Sequence, residues 1–158
     1  LKKNQMLENL KLLVSTGIPT LGICLGFHLL TNSSEESPED DGLGILKMKT
    51  TKINPVNKRK FKVPHMGWNS IEMNNATLKL FKDIKYENQL FFFSNGYGIR
   101  YESSPLINSA NYFHENNWVA IAEYKNVFGV QFHPEKSRAQ GLTLLKNFVT
   151  ISSNFLKC

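Results

Sequence analysis

The stretch Pro19-Thr20-Leu21-Gly22-Ile23-Cys24-Leu25-Gly26 constrains this chain more than any other. An apolar run opens on proline and closes in a small–x–Cys–x–small pattern, and a helix-like segment, Phe27 to Thr31, follows directly. That spacing is the cysteine form of a nucleophile elbow, in which a strand turns sharply into a helix and exposes the middle residue at the top of a sheet. The turn strains the nucleophile's backbone, so its neighbours two residues to either side must be small, and Gly22 and Gly26 fit. The helix after Cys24 aims free N–H groups and its positive end at the sulfur, which predicts a lowered thiol pKa. A buried cysteine on a core strand fits the same stretch taken alone.

The far end of the chain decides between these readings. Gly129-Val130-Gln131-Phe132-His133-Pro134-Glu135-Lys136-Ser137 reads as the close of a last strand. In extended backbone, residues two apart face the same way, so His133 and Glu135 project together and Pro134 stiffens the link. A cysteine nucleophile needs a histidine held by a carboxylate. His133 takes the thiol proton and returns one to the leaving amine, while Glu135 fixes its tautomer and stabilises the imidazolium. A lone His-Pro-Glu is a weak signal, but an elbow cysteine together with His-x-Glu at a strand end is a strong one.

Composition bounds the rest. With 158 residues, 41% hydrophobic and 20% charged, the chain reads as one globular domain spanning 1–158. No apolar run approaches membrane-spanning length and no signal peptide is evident, so no membrane partner is expected. Two cysteines, Cys24 and Cys158, make no disulfide framework, and a reducing cytoplasm is the expected location. The net charge of +6 is mostly scattered lysine, densest at Lys58-Arg59-Lys60 and Lys62, with arginine only at positions 59, 100 and 138. Arginine is the residue that most often reads bases, so no nucleic-acid partner is expected.

Along the chain, Met6, Leu7, Leu10, Leu13 and Val14 give Lys2 to Thr16 a helical stripe, closed by Gly17 and Pro19. The acidic, breaker-rich run Ser33 to Gly42 reads as a solvated loop. Strands are predicted at Gly44–Met48, Thr50–Ile53, Phe61–Val63, Gln89–Phe93, Gly98–Tyr101, Trp118–Tyr124 and Val127–Phe132. A short helix or turn is predicted at Thr77–Ile84. A final amphipathic helix is predicted at Gly141–Phe155, with Leu142, Leu145, Phe148, Val149 and Ile151 inward. The order of elements implies an α/β fold.

The two halves of the site together resemble the class I glutamine amidotransferase family. Val63-Pro64-His65-Met66-Gly67-Trp68-Asn69 and His133 to Ser137 are similar to the members that serve as the glutaminase subunit of a synthase in histidine biosynthesis. The resemblance runs from the first helix to the last. It implies a flavodoxin-like three-layer α/β/α fold with a mixed sheet, and a Cys24-His133-Glu135 triad that hydrolyses L-glutamine through a thioester with no cofactor or metal. It also implies that the Leu25 backbone N–H is an oxyanion donor and that Glu36 holds the bound glutamine's polar head. Trp68, Tyr97 and Lys136 would face or gate a (β/α)8-barrel cyclase subunit that receives the ammonia in a heterodimer, and Asn95, Gly96 and Tyr97 fall among the substrate-binding positions.

Three departures from the family pattern bear on function. The chain starts at a helix just before the elbow strand, so the family's opening strands and their second oxyanion donor are expected to be absent, as in an N-terminally incomplete domain. Loss of one such donor costs about a hundredfold or more in turnover. Secondly, His28 stands where the family has glutamine, which alters the substrate-binding position without removing its hydrogen-bonding capacity. Thirdly, the family's His-Ser-Tyr in the active-site wall is here Asn95-Gly96-Tyr97. Two alternatives therefore stay open beside the histidine pathway: a partner for a sugar amidotransferase of surface-polysaccharide synthesis, and a non-catalytic partner-binding module. Lys136-Ser137 and the Pro64 to Asn69 motif argue against a stand-alone γ-glutamyl hydrolase.

Overall fold

A computed structural model describes residues 6–73, 77–85, 90–101 and 107–157. The predicted first helix is observed as α1 (Met6–Ser15), its expected start at Lys2 to Gln5 lying outside the described residues. Only Leu7 of its stripe is buried, while Met6 and Leu13 are exposed. Then come β1 (Thr20–Ile23) and α2 (Leu25–Leu30), the strand and helix of the elbow. Short strands β2 (Ser33–Ser34) and β3 (Lys49–Lys52) precede β4 (His65–Ser70). Strands β5 (Leu90–Asn95), β6 (Tyr97–Ile99), β7 (Asn108–His114), β8 (Asn116–Tyr124) and β9 (Val127–Val130) lead to α3 (Arg138–Phe155).

The fold is α/β with a mixed main sheet in the order β1-β9-β8-β7. β1 runs parallel to β9, and the other two pairings are antiparallel. A three-stranded sheet (β2-β3-β6) and the β4-β5 pair flank it. Alternation along β9 divides the core between the two faces of the sheet. Phe128 and Val130 join Phe91, Phe93, Tyr112, Trp118 and the α3 residue Leu144 in one cluster. Val127 joins the α2 residues Phe27 and Leu30, with Leu46 and Val119, in the other. Gly129 is required on the α2 side, because a Cβ there would penetrate the Phe27 ring.

Three expectations need correction. Gly44–Met48 is not a strand. Its amides are used to cap α2: Leu43 N–H donates to Leu29 O, Gly44 N–H to Thr31 O, and Ile45 N–H to Leu30 O. Those carbonyls would otherwise be orphaned at the helix end. The strand expected at Phe61–Val63 lies instead just beyond Pro64, at β4, and the polar strand β7 was not anticipated. Finally, Leu142 and Val149 of α3 face solvent, 64% and 61% exposed. They lie seven residues apart on one stripe, opposite the inward Leu144, Phe148 and Ile151. The predicted Thr77–Ile84 element is a 3-10 turn at Lys79–Phe81, and Gln89, the expected start of β5, lies outside the described residues.

Candidate active site

Cys24 sits between the last residue of β1 and the first of α2, with φ 50° and ψ −106°. A non-glycine residue in this sparsely populated region marks strain held by its surroundings, as an elbow requires. The turn is clamped on both sides. Cys24 N–H donates to Val130 O at 2.8 Å, extending the β1-β9 register, and its carbonyl accepts from Phe27 and His28. The requirement for small neighbours holds on one side only. A Cβ on Gly22 would lie 2.5 Å from Gly26 O and 2.8 Å from Leu30 Cδ1, whereas one on Gly26 would meet nothing within 4 Å.

The thiol departs from its expected chemistry. Burial pushes the Cys24 pKa up, and the Glu36 and Glu135 carboxylates push it the same way. The Leu25 backbone N–H and the Gln131 side chain pull it back by hydrogen bonding, without reversing the shift. The lowering expected from the helix end is therefore overruled by desolvation. The S–H donates to Ser94 O at 4.0 Å, and Gln131 Nε2 donates to Sγ at 3.9 Å.

Beyond β9 the chain bends rather than staying extended, and Pro134–Lys136 forms a 3-10 turn. The expected pairing nevertheless forms, with His133 Nδ1 2.8 Å from Glu135 Oε1. This turn is tied to β5. His133 N–H donates to Phe92 O, Phe92 N–H to Ser137 Oγ, and the Ser137 hydroxyl to His133 O. Among the described residues no hydrogen bond joins His133 to Cys24, although the strands that lead to them, β1 and β9, are paired.

The remaining candidates fall into two groups. His28 and Glu36 are brought together, Nδ1 to Oε2 at 3.2 Å, so the acidic loop is not wholly a solvated surface. They line a pocket of about 200 Å³ with Leu25 and Ser34. Asn95 is buried, and its amide donates to Tyr97 O and the Tyr112 hydroxyl instead of facing that pocket. Gly96 accepts from Ile53 N–H, and Tyr97 is half-buried beside it. Trp68 and Lys136 lie on one patch through Phe92. Trp68 meets the Phe92 ring edge-on at 5.9 Å, Lys136 Nζ lies 6.0 Å over that ring, and Arg138 stacks on Trp68 at 4.7 Å.

Sequence reasoning missed Gln131 and Ser94. Gln131 had a signal, since it is a polar residue inside the apolar run Val127 to Phe132 and is fully buried. Ser94 contributes a backbone carbonyl, which no side-chain pattern reveals. Among the described residues no cluster of histidine, cysteine and carboxylate side chains could hold a metal ion, and no helix is long and apolar enough to cross a membrane.

A strained cysteine at a strand-to-helix turn, with a histidine–carboxylate pair closing the neighbouring parallel strand, defines a class of protein. The model of the class-I glutamine amidotransferases matches residues 2–151, and the chain belongs to that family. Among curated relatives, it is 43% identical over 139 residues to the imidazole glycerol phosphate synthase subunit HisH 2 of Methanococcus maripaludis, covering 88% of this chain and 66% of that one. It is 40% identical over 135 residues to the HisH subunit of Pyrococcus furiosus, covering 85% and 66%. The chain thus spans just under two thirds of the length of these relatives. A crystal structure from Thermoplasma acidophilum, assigned as a GMP synthase subunit, shares the fold with a TM-score of 0.67. It covers 96% of this chain and 66% of that one at 15% identity.

Proposed function

We propose that the chain is the glutaminase component of imidazole glycerol phosphate synthase. It would release ammonia from L-glutamine for a (β/α)8-barrel cyclase subunit of histidine biosynthesis in the cytoplasm. The observation that carries this reading is the elbow geometry at Cys24 with the Leu25 N–H on its sulfur and the His133–Glu135 pair at the end of the adjoining strand. The names of the relatives support the pathway.

In this mechanism Cys24 Sγ attacks the carboxamide carbon of glutamine and passes its proton to His133 Nε2. The tetrahedral oxyanion is stabilised by the Leu25 backbone N–H. His133, held through Nδ1 by Glu135, returns the proton to the leaving nitrogen, and ammonia departs from the thioester. Water then attacks the thioester, His133 takes its proton, and glutamate leaves with the thiol restored. Glu36 holds the polar head of the substrate, with His28 Nδ1 against its carboxylate. Asn95, Gly96 and Tyr97 form the wall on the β5-β6 side.

A half-buried thiol held above its usual pKa, with no hydrogen bond to its base, fits an enzyme that awaits its partner. Docking of the cyclase on the Trp68–Lys136 patch would act on Phe92, whose backbone carbonyl holds His133. The test is ammonia release from glutamine with and without the cyclase subunit. Stimulation by that subunit supports the reading. A sugar-directed synthase partner is the second reading, favoured by the inward-turned Asn95, and stimulation by such a partner alone would select it.

A further inference from the structure

One buried titratable residue beside the nucleophile, His28, stands outside the triad yet is hydrogen-bonded at both ring nitrogens. His28 lies one helical turn after Cys24 and is only 4% exposed. Its Nε2 is 2.9 Å from Gln131 Oε1, and its Nδ1 is 3.2 Å from Glu36 Oε2. Gln131 is fully buried and follows Val130, the residue whose carbonyl accepts from Cys24 N–H. Its amide therefore has His28 at one end and the Cys24 sulfur at the other.

We propose that His28 is a positioning residue for the nucleophile, fixing the Gln131 amide so that its N–H, and not its carbonyl, faces the Cys24 sulfur.

The two ends of a carboxamide are nearly equal in size, so shape alone does not orient it. Chemistry does. With Oε1 toward His28 the carbonyl accepts the imidazole Nε2–H, and the Nε2 amine donates to sulfur at 3.9 Å. Reversed, the amide would set its N–H against the imidazole N–H and its carbonyl lone pairs against a developing thiolate. Both contacts would be repulsive, and the burial of His28 and Gln131 leaves solvent little room to screen them. Both ring nitrogens of His28 then donate, Nε2–H to Gln131 Oε1 and Nδ1–H to the Glu36 carboxylate, and the two acceptors together hold the ring in that orientation.

The result is a chain of contacts, Glu36–His28–Gln131–Cys24, separate from the His133–Glu135 pair. Other groups also bear on the thiol. Glu36 and Glu135 oppose its ionisation, Leu25 N–H favours it, and a charge on the sulfur in turn opposes ionisation of Tyr112 on β7. Of the side chains, Gln131 is the one whose hydrogen bond lowers the thiol pKa, and that lowering depends on which way the amide points.

The role rests on the reading of Cys24 as the nucleophile, but its test does not require glutamine turnover. In the full-length protein, iodoacetamide alkylation of the Cys24-bearing peptide is followed by mass from neutral to alkaline pH. His28→Met and Gln131→Met should each raise the midpoint of the profile by about half to one pH unit. Alkylation at neutral pH should slow about three- to tenfold. The double variant should shift no further than either single one, because the two residues act in series. His28→Gln, which retains an N–H for Oε1, should return the wild-type profile. An unshifted profile in either methionine variant overturns the proposal, as does a double variant showing the sum of two shifts. If one methionine variant fails to fold, the other and His28→Gln still decide, since a displaced His28→Gln profile also contradicts it. A protein that hydrolyses no glutamine but shows these shifts would refute the glutaminase reading while leaving His28's role intact.

Discussion

The two candidate catalytic residues, Cys24 and His133, are held in opposite ways. Cys24 is fixed from every side: a parallel strand pairs up to its own amide, Gly22 closes on Gly26, and Phe27 occupies the space that Gly129 leaves. His133 is held at a sheet end by backbone bonds to Phe92, with its side chain 21% exposed and its carboxylate partner 50% exposed. Cys24 is therefore set by packing around a strained turn, and His133 by backbone bonds at a sheet end. Changes at the first should be all-or-none, and changes at the second graded and responsive to whatever docks nearby.

Cys24→Ala should give the largest effect, lowering ammonia release about ten-thousandfold or more while the fold persists. His133→Ala should cost about a thousandfold. Glu135→Ala should cost only about ten- to a hundredfold, because it orients the imidazole and water can partly replace an exposed partner. Steady-state rates for the three variants test this ranking, and a Glu135→Ala loss equal to that of His133→Ala would erase the contrast between the halves.

On the core side, Gly129→Ala should destabilise the protein by about 1–3 kcal/mol, since Phe27 must move to admit the methyl group. Gly26→Ala, with open space around its Cβ, should melt at the wild-type temperature. Thermal unfolding separates the two, and equal midpoints would contradict the elbow packing described.

A smaller effect concerns pH. Burial, and then the neighbouring His114, holds His65 near a pKa of about 4, below the ordinary 6.5. The unfolded chain takes up this proton first as pH falls. Its contribution to stability is therefore complete above 6.5 and is lost progressively as pH drops towards 4. His114, also depressed by burial, adds in the same direction. The melting midpoint should fall across this window, and His65→Phe should flatten the slope.

How much of this was legible in the sequence follows the same division. The elbow and the His-x-Glu pair were readable because each is local: fixed spacings of glycine, cysteine, proline and carboxylate dictate a turn wherever they occur. The strands β4 and β7 were not. His65–Ser70 and Asn108–His114 carry mostly polar residues and become strands through pairing with Phe91–Phe93 and Trp118–Glu123. The Gly44–Met48 segment failed in reverse, because an apolar, strand-like sequence was recruited to the carbonyl end of α2. In the site, the Gln131–His28 link joins residues 103 apart, so spacing could not reveal it. The raised thiol pKa depends on burial, which a helix-end argument leaves out.

The central claim is that Cys24 is the nucleophile of a partner-activated glutaminase. The most direct measurement is ammonia release from glutamine by the full-length protein and its Cys24→Ala variant, each alone and with a histidine-pathway cyclase subunit. The account predicts slow release alone, a marked rise with the partner, and none in either condition for Cys24→Ala. Release that persists in Cys24→Ala, or a wild-type protein that stays silent beside its partner, would contradict it.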